Sequence, residues 1–459
     1  MPVPLEIVIL AAGLGKRMYS DTPKVLHQLA GRPLLAHVLA SAQALQPTVV
    51  HVVYGHGGEQ VRKNLAAAKV NWVQQAEQKG TGHAVAQAMP QVADAALVLV
   101  LYGDVPLIRT ETLQNLIACA GDKTLALLTA ELPDPGSYGR IIRDAAGQVS
   151  RIVERKDASA AEAAVREVNT GFMAAPAIRL KKWLAALRNN NAQGEYYLTD
   201  IIAMAVAEGV TIATRVPQDL SEIFGVNSKQ ELAQLERIHQ QQQAQQLMSQ
   251  GVTLRDPARF DVRGELTCGR DVVIDVNVIF EGKVSLGDRV QVGPNNVIRD
   301  CSVGSDTVIH PNCVLEQAII GADCRIGPFA RIRPETKLAA HVHVGNFVEV
   351  KKSEVGEGSK MNHLSYIGDT SVGRDVNIGA GTITCNYDGA NKHRTVIGDN
   401  VFVGSNAALV APVTIGAGAT IGAGSVITKA APAGELTLTR APQVTKPGWK
   451  RPLKKNKDK

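Results

Sequence analysis

Three stretches of this chain combine residue types that can do chemistry. Ala11-Ala12-Gly13-Leu14-Gly15-Lys16-Arg17-Met18, followed by Lys24, is a glycine-rich turn after an apolar run. Backbone N–H groups in such a strand-to-helix turn can wrap phosphates, and Arg17 and Lys24 add the positive charge that suits a nucleoside triphosphate. The turn is not a Walker A loop, because no Ser or Thr follows the lysine, and Met18 stands where a dinucleotide fingerprint has its third glycine. Asp104 ends a second apolar run, in Leu-Tyr102-Gly103-Asp104-Val-Pro. A carboxylate at the carboxyl edge of a sheet suits Mg2+, which takes one or two protein oxygens and completes its shell with phosphates and water. A turn-capping aspartate is the plainer alternative. The third stretch holds Arg333, Lys351 and His363. Neighbouring cations call for an anion, and an imidazole can take the proton that an amine loses when it attacks a thioester.

The elements that must position these groups differ along the chain. Through residue 226, short β-rich runs at 7–12, 49–55 and 96–104 end in Gly or Asp or lead into the glycine turn, and helix-like segments separate them. This reads as a Rossmann-like parallel α/β sheet with ligands at the carboxyl ends of its strands. Ser228-Lys-Gln-Glu231 is a capping box that opens a helix with Leu232, Leu235 and Ile238 on one face, and the Gln-rich run 240–246 continues it. The expected division is an α/β domain over 1–227, a linker helix over 228–250, and a third domain over 251–459.

The third region repeats every six residues. Stepping by six from Cys268 gives Ile274, Phe280, Leu286, Val292 and Ile298; a five-residue step resets the series at Val303, and later resets fall at Ile320, Val355 and Val372. An interruption at 385–396 precedes the last block, which starts at Ile397. The blocks hold 6, 3, 6, 3, 3 and 6 hexads, each a multiple of three, so three hexads make one turn of a triangular prism. Of 27 marked positions only Thr384 is neither apolar nor Cys, and Gly follows in 15 cases, where a tight corner would favour positive φ. The expected structure is a parallel β-helix of about nine coils. On it Arg333 and Lys351, 18 residues apart, stack one coil apart at ~4.8 Å. A phosphate beside them is one reading, and two solvated charges the other. His363 is expected one coil above the pair, and an insertion such as 385–396 is where a solenoid commonly carries function.

Composition excludes other classes. The net charge of +6 lies entirely in 446–459, where seven Lys/Arg face one Asp, so residues 1–445 sum to zero and no nucleic-acid surface is indicated. The basic tail reads as solvated, with a lid over an anionic ligand as the alternative. No stretch approaches the ~20 apolar residues of a membrane span, and the N-terminal apolar run lacks the basic region of a signal peptide. The six cysteines have no CxxC spacing and read as free thiols in a reducing compartment. The expected location is cytoplasmic.

The glycine turn and Asp104 resemble the sugar nucleotidyltransferase family. The resemblance extends to Gln75-Ala-Glu-Gln-Lys-Gly80-Thr81, Tyr138-Gly139-Arg140, Ile-Val-Glu154, Asn169-Thr-Gly and Gly-Val-Asn227. In the second half, Arg331-Ile-Arg333-Pro, Gly345-Asn-Phe-Val-Glu-Val-Lys351, His363-Leu-Ser-Tyr366 and 377–389 complete it. Nearly the whole chain is similar to the bifunctional N-acetylglucosamine-1-phosphate uridyltransferase/glucosamine-1-phosphate acetyltransferase family. The resemblance implies a nucleotidyltransferase domain, a linker helix and a left-handed β-helix of hexapeptide repeats, assembled as a homotrimer with sites between neighbours. It implies acetylation of glucosamine-1-phosphate by acetyl-CoA, then UMP transfer from UTP to give UDP-N-acetylglucosamine for peptidoglycan and lipopolysaccharide precursors.

Residue by residue, the resemblance assigns Leu10 to Lys16, Lys24, Gln75, Gly80, Thr81, Tyr102 and Gly103 to the nucleotide, and Gly139, Glu154 and Asn169 to the sugar. Asp104 and Asn227 would bind Mg2+, with Arg17 and Lys24 as catalytic cations. Lys16 departs from the family pattern, which usually has Thr there. His363 would be the base. Arg333, Lys351, Tyr366 and Asn377 would hold the sugar phosphate, and Ala380, Asn386, Tyr387, Ser405, Ala423 and Arg440 would contact acetyl-CoA. Two rival readings are a single-activity nucleotidyltransferase with a regulatory β-helix, and a β-helix that is only a trimerisation scaffold or binding module; both leave the His363 motif without a catalytic use.

Overall fold

The computed structural model describes residues 3–13, 15–55 and 57–452, which form two compact units, 1–242 and 243–459. Leu14 and the end of the basic tail lie outside the described residues.

The first unit is built on a nine-stranded sheet: β1 (Leu5–Ala11), β2 (Val49–Tyr54), β3 (Asn71–Gln74), β4 (Leu97–Tyr102), β5 (Thr124–Glu131), β6 (Gly139–Arg143), β7 (Val149–Val153), β8 (Glu167–Pro176) and β9 (Thr211–Arg215). The main path runs β9-β5-β8-β4-β1-β2-β3. β1 lies parallel to both β2 and β4, and its residues Ile7, Val8 and Ile9 are fully buried, because helices cover both faces and leave no solvated side. The three apolar runs pair in parallel as expected, and the sheet also takes in a strand that sequence reading did not single out, β8, which runs antiparallel to β4, β5 and β6. Its register shifts between Asn169 and Met173, which turns the 169–171 segment out of the ladder.

The helix Lys229–Ser249 opens with the expected capping box, Glu231 N donating to Ser228 Oγ at 3.2 Å and Ser228 N to Glu231 Oε2 at 3.0 Å. Within the first unit, Leu235 is buried with Met18, Leu29 and Leu34.

The second unit winds as a three-sided parallel β-helix. One wall is an 11-stranded sheet running from Thr253–Leu254 to Leu436–Thr437, so the coils begin before Cys268 and end after Ile427. Successive rungs pair 18 residues apart, or 17 where the sequence resets; Ile279 faces Val297, and Val297 faces Val314. All marked positions from Ile274 to Ile427 are buried, while Cys268 is half-buried. Thr384 is satisfied inside the prism, its Oγ1 accepting from Gly368 N at 2.8 Å and donating to Gly368 O at 3.2 Å.

The glycines after marked positions serve a different purpose from the one expected. Of these 15, only Gly327 has positive φ. The left-handed residues come later in each corner, often Asn or Asp, as at Asn277, Asn295, Asp306 and Asn312. The glycines are needed because the next coil passes too close: a Cβ on Gly304 would lie 2.6 Å from both Ala322 N and Gly321 C. Gly304→Ala, far from any proposed site, is therefore expected to lower stability by about 1–3 kcal/mol through overpacking. Denaturant unfolding of the full chain measures it, and an unchanged midpoint would contradict the close-approach explanation.

Candidate active sites

In the first unit the carboxyl end of β4 opens into a cavity of about 1050 Å³. Arg17, Thr81, Tyr102, Asp104, Gly139, Glu154, Asn169 and Asn227 all line it, so residues distant in sequence converge. The remaining expected residues are not among those that line it. Leu10, Ala11 and Ala12 are buried at the end of β1, and Gly103 N donates to Leu10 O at 2.9 Å. Gly15 has φ 60°, and a Cβ there would meet Lys24 Cβ at 2.9 Å. Lys16 is exposed beside it. Buried Gln75 holds the following turn through Gly80 O at 3.2 Å and His83 Nδ1 at 3.0 Å, while Gly80 passes against the Tyr196 backbone with φ 106°.

At the mouth of β4, the Lys24 ammonium donates to Asp104 Oδ2 and, at 3.1 Å, to Asn227 Oδ1. Asp104 and Asn227 are held near each other by Val226 N donating to Asp104 O at 2.9 Å. Asn227 N donates to Glu231 Oε2 at 2.6 Å, so the capping glutamate also sets this ligand. Two oxygen donors converging on one cation fit a hard divalent ion.

Across the cavity, Glu154 accepts from Thr199 Oγ1 at 2.9 Å and lies beside Gly139. Burial lifts the Glu154 carboxyl above its ordinary value of 4.5, and Thr199 opposes the shift. Arg140 is buried and donates to Gly136 O, Tyr138 O and Ala163 O, which fixes the turn presenting Tyr138 and Gly139. Sequence reading assigned no role to Thr199, Glu231 or Arg140. Glu231 was visible as a cap and Arg140 as part of a motif, whereas Thr199 meets Glu154 only through the fold.

In the second unit Arg333 and Lys351 share one column, since Arg331 and Ile332 pair with Glu349 and Val350. Below them the column alternates in sign: Arg263, Glu281, Arg299 and Glu316 occupy successive rungs, with contacts of 3.2 Å between Arg263 and Glu281 and 3.1 Å between Arg299 and Glu316. Arg333 continues the alternation and Lys351 breaks it. Lys392, from the interruption, reaches Lys351 and is held below the ordinary lysine value chiefly by that contact. Acids only partly compensate, with Glu349 2.7 Å from Arg333 and Asp369 4.0 Å from Lys351. The Tyr366 ring lies across Gly368, directly above Lys351, and Asn386 donates to Asp369 and to Tyr366 Oη at 3.4 Å.

His363 lies on the coil above Lys351 but not over it. Its rung partner is Asn346, whose Oδ1 is 2.8 Å from His363 Nδ1. Continuing the same register upward, Ala380 follows His363, then Ser405 and Ala423. Arg440 Nη2 stands near the top, 3.6 Å from the Cβ position of Gly422. Asn377 belongs to the wall before this corner, between Lys360 and Phe402. Tyr387 is exposed in the interruption, its Oη donating to Gly389 O at 2.6 Å. In one chain, therefore, the imidazole column and the cation column belong to strands of different walls, with a corner between them. Sequence reading missed Asn346 and Lys392 as participants, although Asn346 is one 17-residue coil from His363.

A family model described as the MobA-like NTP transferase domain matches residues 7–253, one described as the GMPPB C-terminal domain matches 262–355, and the bacterial transferase hexapeptide model (six repeats) matches 394–429. The chain is 62% identical over 450 residues to the bifunctional protein GlmU of Azoarcus sp. (strain BH72), covering 98% of this chain and 100% of that relative. It is 60% identical to those of Aromatoleum aromaticum, over 98% of this chain and 99% of the relative, and of Nitrosospira multiformis, over 99% of each. No helix among the described residues is long and apolar enough to cross a membrane.

The half-buried Glu154 carboxyl supplies a prediction with a definite sign. Its folded value is raised, so its ionisation opposes folding, and the penalty grows as pH rises from 4.5 through the folded value. Glu154→Gln should melt higher than the parent at pH 7, the difference closing toward pH 4. The melting temperature against pH measures this. A difference that is flat or grows on acidification would remove burial as the cause.

Proposed function

This chain belongs to the bifunctional GlmU family, a uridylyltransferase and an acetyltransferase in one polypeptide, and from that premise we propose which residues perform each transfer. In the nucleotidyltransferase half, UTP lies along the glycine turn 10–16, with Gln75, Gly80, Thr81, Tyr102 and Gly103 shaping its pocket. Glu154, Gly139 and Asn169 hold the sugar of N-acetylglucosamine-1-phosphate. The sugar-phosphate oxygen is already ionised, so no general base is needed. It bonds to the α-phosphorus as the bond to pyrophosphate breaks. The barrier is the approach of one anion to another, and Arg17 and Lys24 lower it by their charge. Asp104 and Asn227 would hold Mg2+, which when bound polarises phosphate oxygens and neutralises developing charge.

In the β-helix, Arg333, Lys351 and Tyr366 take the phosphate and face of glucosamine-1-phosphate, with Asn377 as a further contact. The break in charge alternation at Lys351 carries this assignment, because stacked cations repel until an anion joins them. With the Asn346 amide oxygen accepting from Nδ1, His363 Nε2 keeps a lone pair facing outward. It takes the proton as the substrate nitrogen bonds to the thioester carbon and coenzyme A leaves. Ala380, Ser405 and Ala423 are small residues in one line above the imidazole, a track for the acetyl-CoA arm, with Asn386, Tyr387 and Arg440 at its sides. The two columns of one chain lie on different walls of the prism. A homotrimer that sets the imidazole column of one copy beside the cations of the next would complete it. Acetylation comes first, in the cytoplasm, and its product feeds the first unit.

The test is reconstitution from glucosamine-1-phosphate, acetyl-CoA, UTP and Mg2+, with coenzyme A and pyrophosphate followed separately. Asp104→Ala should abolish pyrophosphate release from N-acetylglucosamine-1-phosphate and leave coenzyme A release intact. His363→Ala should do the reverse, slowing acetylation by roughly 10²–10⁴-fold. Normal UTP turnover in the first variant, or normal acetylation in the second, would refute the corresponding assignment.

A further inference from the structure

The contact between Lys24 and the two candidate metal ligands has a consequence beyond charge neutralisation. Asp104 and Asn227 are fixed relative to each other by Val226 N and by the Glu231 carboxylate. Their oxygens converge on one point, and the ammonium fills it. The pair is largely sheltered, with side-chain exposures of 12% for Lys24 and 16% for Asp104, so a carboxylate left without a cation there would be poorly compensated. The base of the lysine is anchored against Gly15, while Nζ lies only 3.8 Å from the Cβ position of Gly13 in the proposed phosphate turn. Rotation about the outer side-chain bonds is enough to carry the charge from the carboxylate toward that turn.

We propose that Lys24 is a built-in counter-ion that holds the divalent-cation position whenever metal is not bound and is displaced from it by the metal, swinging to the triphosphate. The proposal rests on reading Asp104 and Asn227 as metal ligands. Two cations in contact with the same oxygens repel at short range, so ammonium and metal exclude each other. Linkage then requires that the nucleotide-free site bind metal more weakly than its two donors alone would. A triphosphate gives the ammonium another partner and removes that competition. Metal and nucleotide therefore load together, and Asp104 stays neutralised when neither is present.

Mn2+ serves as the probe, titrated without nucleotide into full-length, metal-free protein and followed by the loss of its free electron paramagnetic resonance signal. Lys24→Met should bind Mn2+ on the order of tenfold more tightly than the parent, in the usual range of coupling between sites, even though nucleotide transfer falls. Lys24→Gln should give the same rise through a second neutral side chain. Asp104→Asn should lose the site in either background. Affinity in both lysine variants equal to or weaker than the parent's would overturn the displacement and leave the metal assignment standing. Tight Mn2+ binding that survives Asp104→Asn would overturn both.

Discussion

Backbone hydrogen bonds between successive coils hold the second unit at one rung per turn, and the rest of that unit obeys this spacing. Ser285 N to Cys301 O at 3.0 Å and Gly287 N to Val303 O at 2.8 Å are typical. At that separation the inward side chains must be apolar and of moderate size, which Ile309, Ile326, Val344 and Met361 satisfy in one unbroken stack. The same spacing leaves no room for a Cβ where corners nest, and that explains the glycines better than any demand for unusual φ. It also makes every outward residue a neighbour of the one a coil away. Like charges on successive rungs therefore repel unless they alternate or are compensated from outside.

That last requirement turns a structural rule into a functional signal. A solenoid that pairs Arg263, Glu281, Arg299 and Glu316 in sequence has an inexpensive way to neutralise position 351, and instead places a lysine there. Lys392 arrives from the one interruption of the repeat and adds to the imbalance. The small-residue line above His363 is a second departure from the ordinary surface, because a wall of Ala and Ser leaves space along a track where long side chains could have stood.

The first unit solves a different problem, which is to give a sheltered carboxylate a charged partner close to the glycine turn. One cation meets that need: Lys24, next to the glycine turn, reaches Asp104, while the Glu231 carboxylate anchors the neighbouring Asn227 from the first turn of a helix. The glycines contribute by absence. Gly15 admits the Lys24 stem, and Gly171, with φ 90°, admits the Tyr102 ring, since a Cβ there would meet that ring at 2.4 Å.

Periodicity and local chemistry were readable from the amino acids alone. The hexad series, the capping box at Ser228, the glycine turn and the shared column of Arg333 and Lys351 all depend on neighbours at fixed sequence distance, where the backbone sets the geometry. One local reading failed for a physical reason, since the glycine corners answer to the adjacent coil, and the antiparallel β8 went unnoticed because its direction is chosen by pairing with distant strands. What only the tertiary structure decided were the meetings of groups far apart in sequence. Thr199 against Glu154, Arg140 gathering three carbonyls, and Lys392 reaching Lys351 have no common period. His363 was assigned correctly to its coil but not to its column, because a corner separates it from the strand that carries the cations. Spacing along a chain fixes height in a solenoid; lateral position depends on where each corner bends, and that is settled by packing.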